Sequence, residues 1–168
     1  MGQWVVVVSG EQYESERLYG GEALTVADGG FGAGDEVLLV AAVEPAVVFG
    51  VGRAESGERL RYTVNLLDSP LAAEGLPVEV GVWGVDEEAY RAVARRAVVE
   101  PEERRTWLVS VDMPIEASSP GDAVRAFWSY VRELGPAELP AFVWPAGNEL
   151  AMQAYVLGAE ANQDPEEE

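Results

Sequence analysis

Gly34-Asp35-Glu36-Val37-Leu38-Leu39-Val40-Ala41-Ala42-Val43-Glu44-Pro45-Ala46-Val47-Val48-Phe49-Gly50-Val51 is the stretch from which the architecture follows. Apolar and β-branched residues from Glu36 to Val43 fit a pleated, buried strand. Glu44-Pro45 then supplies a turn, and a second strand runs from Ala46 to Val51. Working outward, Trp4-Val5-Val6-Val7-Val8 is another short apolar run, closed by Ser9-Gly10. Downstream, Gly57 bends the chain into Leu60 to Leu67, where Leu60, Tyr62, Val64 and Leu66 alternate with Arg61, Thr63 and Asn65. A further strand is expected at Val78 to Trp83. Five strands at short spacing argue for a small, strongly curved sheet or barrel.

Helices complete an α+β pattern. Glu11 to Tyr19 can form a short one, and residues 28 to 35 form a Gly-rich loop. Asp86 to Val98 has an N-cap, Glu87 and Glu88 in the first turn, Arg95 and Arg96 in the last, and a Tyr90, Val93, Ala94, Ala97, Val98 stripe. The charged, apolar-poor residues 101–105 then read as a linker between a domain at 1–100 and another at 106–158. In the second domain, Trp107, Val109, Val111 and Met113 alternate up to Pro114. Ser119 caps a helix with Pro120 at its first position, a stripe of Val124, Phe127, Trp128, Val131 and Leu134, and Gly135 at its end. Ala141 to Trp144 and Leu150 to Leu157 form a hairpin about Pro145-Ala146-Gly147-Asn148. This β-α-β-β unit is small enough to need packing on the first domain or on a copy of itself. Residues 159–168 carry five acids and no aromatic, a composition expected to be disordered.

Composition removes many functions. The chain has no Lys, His or Cys, which excludes Ser-His-Asp and Cys-His nucleophile pairs, thiol redox motifs, zinc fingers, Schiff-base chemistry and a P-loop lysine. Only an all-oxygen metal site or a carboxylate acid/base pair would support hydrolysis. Asp28 and Asp35 flank the Gly-rich loop, but they lack the spacing and terminal Glu of a calcium loop, so a turn is the better reading. Gly50-Val51-Gly52 falls short of a dinucleotide fingerprint. No cofactor is expected, and the balance leans away from an enzyme. The single Ile, Ile115, and the abundance of Ala, Val, Gly and Arg are what GC-rich coding produces, so the missing Lys is a matter of codons as much as of selection.

Thirty acids against eleven arginines give a net charge of −19, which repels polynucleotide at long range and suits solubility. No run of eighteen apolar residues occurs and the start lacks a basic n-region, so a cytoplasmic protein is expected.

The Trp-led first strand, the Gly34-Asp35-Glu36-Val37-Leu38-Leu39-Val40 entry, Val47-Val48-Phe49-Gly50-Val51-Gly52-Arg53, Tyr62-Thr63-Val64 and Leu76-Pro77-Val78 with a closing helix resemble the PUA-like barrel group, nearest its EVE and ASCH branches, over about residues 2–98. The resemblance implies an aromatic-lined pocket for a modified or extruded nucleobase. Its candidate rings are Trp4, Tyr13, Tyr19, Phe31, Tyr62 and Trp83, with Asn65 and Thr63 for edge contacts and Arg53, Arg59 and Arg61 for phosphates. Any nucleic-acid contact would be local and salt-sensitive. A protein partner or homodimer, with the barrel lacking a ligand, is the alternative.

Overall fold

The computed structural model describes residues 1–27, 29–97 and 105–157. Asp28, Val98, linker residues 101–104 and the tail 159–168 lie outside them. The fold is α+β, and the chain divides into two compact units, Met1–Glu102 and Glu103–Glu168.

The first unit contains β1 (Gln3–Ser9), α1 (Gly10–Tyr19), β2 (Ala23–Thr25), β3 (Glu36–Ala42), β4 (Val47–Ser56), β5 (Arg59–Asn65), β6 (Leu71–Ala72), β7 (Gly81–Gly84) and α2 (Glu87–Arg96). Its sheet is a curled half-barrel of order β2-β5-β4-β3-β1-β7, with β6 on β4. β1 and β3 pair in parallel, Val5 beside Leu38 and Val7 beside Val40, while β3, β4 and β5 form an antiparallel meander.

The continuous Val5–Val8 run is explained by a sheet buried on both faces. Val6 and Val8 enter one apolar cluster with Tyr13, Leu24, Val37, Leu39, Phe49 and Leu60. Val5 and Val7 enter another with Leu38, Val40, Val48, Val51, Tyr90 and Val93. α1 closes over the first cluster through Tyr13, and its start is fixed by Ser9, whose Oγ accepts from the Gln12 amide at 3.2 Å. α2 seals the second through Tyr90, Val93 and Ala97, and Asp86 accepts from the Ala89 amide at 2.8 Å.

The curl depends on irregular pairing. Register shifts fall between Leu39 and Val40 on β3 and between Val51 and Gly52 on β4. At the second shift Val51 faces Val64 and Gly52 faces Tyr62, so Thr63 is the extra residue of a bulge. Tyr62 consequently joins the first cluster and Val64 the second, although they stand two apart. Gly50 is required here, because a Cβ would lie 2.9 Å from the Tyr62 ring.

The strands differ in detail from those expected. β2 and β6, three and two residues long, carry no period to detect. The strand expected from Val78 starts only at Gly81, which has φ 149°, and Val78 and Val80 stand exposed ahead of it.

The second unit contains β8 (Trp107–Ser110), α3 (Pro120–Leu134), β9 (Ala141–Pro145), a 3-10 turn (Glu149–Ala151) and β10 (Gln153–Tyr155), with sheet order β10-β9-β8. α3 begins as its sequence requires: Ser119 Oγ accepts from the Asp122 amide at 3.2 Å and donates to Asp122 Oδ2 at 2.7 Å, and Pro120 occupies the first turn. Gly135 ends the helix at φ 69°. The stripe expected to be buried is not. No residue of α3 is buried, and Val124 and Trp128 are 57% and 62% exposed. β8 stops at Ser110, three residues short of Met113.

Candidate functional site

Four candidate rings meet on one sheet face. Trp4, Tyr13, Phe31 and Tyr62 belong to the first cluster, with ring centroids 6.5 Å apart for Trp4–Phe31, 5.3 Å for Tyr13–Phe49 and 6.5 Å for Phe49–Tyr62. Tyr13 and Phe31 are buried, whereas Trp4 and Tyr62 are half-buried. Their polar atoms are engaged within the chain. Trp4 Nε1 donates to Asp35 Oδ2 at 2.9 Å, and Tyr62 Oη donates to Glu16 Oε2 at 3.1 Å.

The other candidates lie elsewhere. Trp83 sits opposite Val5 on the antiparallel pair β1–β7, and cross-strand partners share a face, so it stands on the side away from Trp4. Its indole donates to the Glu79 carbonyl at 2.9 Å. Tyr19 is 69% exposed at the end of α1. Asn65 ends β5, where its side chain accepts from the Leu67 amide at 2.9 Å, and Thr63 Oγ1 donates to the Val51 carbonyl at 3.0 Å. Arg53, Arg59 and Arg61 are exposed on the β4–β5 hairpin. Glu55 accepts from both Arg59, at 2.8 Å, and Arg61, and Glu22 pairs with Arg61 at 3.4 Å. A phosphate would therefore have to displace carboxylates at two of the three arginines.

Two carboxylates that the sequence reading did not place in the site organise these rings. Asp35 accepts from the Gly2 amide at 2.7 Å, the Gly32 amide at 3.0 Å and the Trp4 indole. The Gly2 and Gly32 amides, then the indole, hold its carboxyl below the usual range. Gly34, at φ 94°, makes the turn that points Asp35 back at Gly2 and Gly32. Glu16 is pushed the other way: burial raises its carboxyl, and the Tyr62 hydroxyl offsets part of that rise. Burial and the facing Glu16 carboxylate raise the Tyr62 phenol, so it stays a donor at neutral pH. The Gly-Asp pair in the quoted stretch was the available signal for Asp35. Glu16, on an exposed-looking helix, had none.

The second unit presents a different surface. Among the described residues, none between 105 and 157 is buried, although eleven large apolar side chains there are exposed. Register sorts the sheet residues onto two faces. Trp107 opposes Pro145, Val109 opposes Val143, and across β9 Gln153 opposes Val143 and Tyr155 opposes Ala141, which puts all of these on one face. Trp107 is 52% and Val109 66% exposed there. The opposite face carries Leu108, Phe142 and Trp144, and the Trp144 indole nitrogen is buried without a hydrogen-bond partner among the described residues. None of the strand residues 107–110, 141–145 and 153–155 is charged, in a chain of net charge −19.

Among the described residues, no group of three or more acidic side chains could hold a metal ion, and no helix is long and apolar enough to cross a membrane. In comparisons with known proteins the chain matches no family model, no curated protein and no solved structure.

Proposed function

We propose that this chain is a non-enzymatic interaction protein whose first unit is a rigid scaffold and whose second unit docks a protein partner through apolar surface. One observation carries this reading: a unit rich in Trp, Val and Leu that leaves every described residue at least partly exposed. Contiguous apolar patches of this kind are uncommon on monomeric proteins and accompany protein–protein contact. The uncharged strands match the charge-depleted centre of an interface.

A nucleobase-type ligand is the second reading, favoured by the half-buried Trp4 and Tyr62 rings on one face with Phe31 and Tyr13. Membership of the PUA-like group belongs to this reading, and the curled half-barrel is compatible with it. The binding would rest on stacking, since the nearby arginines are ion-paired and the chain is acidic.

Tryptophan fluorescence tests both. The contribution of Trp107, read as wild type minus Trp107→Phe, is expected to be red-shifted and freely quenched by acrylamide in dilute solution. A blue-shifted, unquenchable contribution would mean that the chain closes this surface itself, which defeats the docking reading. Modified nucleosides and short oligonucleotides should quench the Trp4 contribution if the second reading holds, and silence across the panel at low salt removes it.

A further inference from the structure

We infer that an extended segment of a partner polypeptide adds as a further strand to the open edge of β8, its backbone bonded to Trp107 and Val109. This rests on the docking reading above and names the kind of partner and how it is held.

The open edge follows from the pairing. Thr106 accepts from the Ala146 amide at 2.9 Å, and the β8–β9 register sets those two residues opposite one another. Antiparallel pairs alternate between bonded and non-bonded. Thr106, Leu108 and Ser110 therefore turn their backbone groups toward β9, and Trp107 and Val109 turn theirs away. β8 ends its sheet, and neither outward residue finds a backbone partner among the described residues. Side chains leave the edge open as well, with Trp107 and Val109 exposed on one face and Leu108 44% exposed on the other. A row of free backbone donors and acceptors selects an extended chain, because a helix has already satisfied its own.

The sequence is built for a longer strand than the chain itself pairs. Trp107, Val109, Val111 and Met113 alternate, yet β8 stops at Ser110. By register the next bonded partner of β9 would be Asp112 opposite Pro140, which has no N–H to give. The outer edge has no such limit, so an added strand can continue to Val111 and Met113. The other edge strands are blunted: β2 and β10 are three residues long, and β7 begins and ends in Gly. β8 contains no charge, Gly or Pro. Charge then selects the partner's ends. Beside Asp112, on a chain of net charge −19, a segment with apolar residues at alternate positions and basic termini is favoured over an acidic one.

Hydrogen exchange of the full chain tests this with nine-residue peptides that alternate Thr with Val, Ile or Phe between terminal arginines. The amides of Trp107, Val109, Val111 and Met113 should gain about 10-fold or more in protection at saturating peptide. Val109→Pro removes an outward N–H and no bond to β9, and should weaken binding about 10-fold. Ala154→Pro should not. It is the matching control on β10, since Ala154 stands opposite Phe142, whose backbone is turned to β8. A peptide N-methylated throughout should not bind, and this arm decides if Val109→Pro does not fold. The proposal is overturned if no peptide protects these amides, or if binding survives N-methylation or ignores a folded Val109→Pro. If every peptide is silent while Trp107 is openly quenched, the docking reading stands and strand addition fails.

Discussion

Phe49→Ala should unfold the first unit at a temperature roughly 15–30 °C below the wild type, from a cost of about 3–5 kcal/mol spread over a domain of this size. Phe49 is fully buried and its ring stands between Tyr13 on α1 and Tyr62 on β5. It is also the residue skipped where Leu39 faces Gly50 and Val40 faces Val48, so the bulge in the β3–β4 pairing directs it into the first cluster. Truncation opens a cavity and removes two ring–ring contacts, one tilted and one edge-on, worth about 0.5–1.5 kcal/mol each. Domains of this kind have only about 5–15 kcal/mol in total. Phe49→Leu should cost under about 1.5 kcal/mol if the neighbouring rings repack around it. Thermal denaturation by circular dichroism separates the two, and an Ala variant within about 5 °C of wild type would mean that the cluster does not depend on this ring.

Asp35→Asn should be nearly as damaging as Asp35→Ala, a result that size and shape alone would not lead one to expect. Three donors converge on this carboxylate, the amides of Gly2 and Gly32 and the Trp4 indole. Asn can keep one acceptor oxygen, but its NH₂ then faces donors, and a mismatched donor costs more than a missing bond. The expected loss is about 5–10 °C in Tm at pH 7, with a red shift of the Trp4 emission. The pH dependence follows from the lowered native value. Stability from Asp35 is fully present above its unfolded value near pH 4 and is lost as pH falls through the lower folded value. The gap between wild type and Asn variant should therefore narrow as pH falls below the free Asp value and close once the lowered native value is passed. A gap that persists there would show that Asp35 acts through shape and not through its charge.

Particular residues show how far the sequence could be read. Val5–Val8 and Glu36–Ala42 were legible because a sheet buried on both faces needs unbroken apolar runs. α3 was legible because Ser119, Pro120, Asp122 and Gly135 occupy cap positions with a local chemical reason. The bulges were not: alternation at Tyr62 and Val64 suggests one face, while an extra Thr63 sends the two side chains to opposite clusters. That blindness also governed the site. A pattern of rings in sequence could not tell that Trp83 lies across the sheet from Trp4, or that Asp35 and Glu16 already occupy the polar atoms of Trp4 and Tyr62. The stripe on α3 had the right period, but periodicity reports an apolar face and not what covers it. Val124 and Trp128 stand exposed on that face.

The exposed face of β8–β10 is the proposed docking surface, and a photo-crosslinking residue at position 109, set against one at position 14 on the exposed side of α1, tests it in the cell that makes the protein. A discrete protein adduct is expected at 109 and none at 14. No adduct at 109, or the same diffuse products at both positions, would contradict it.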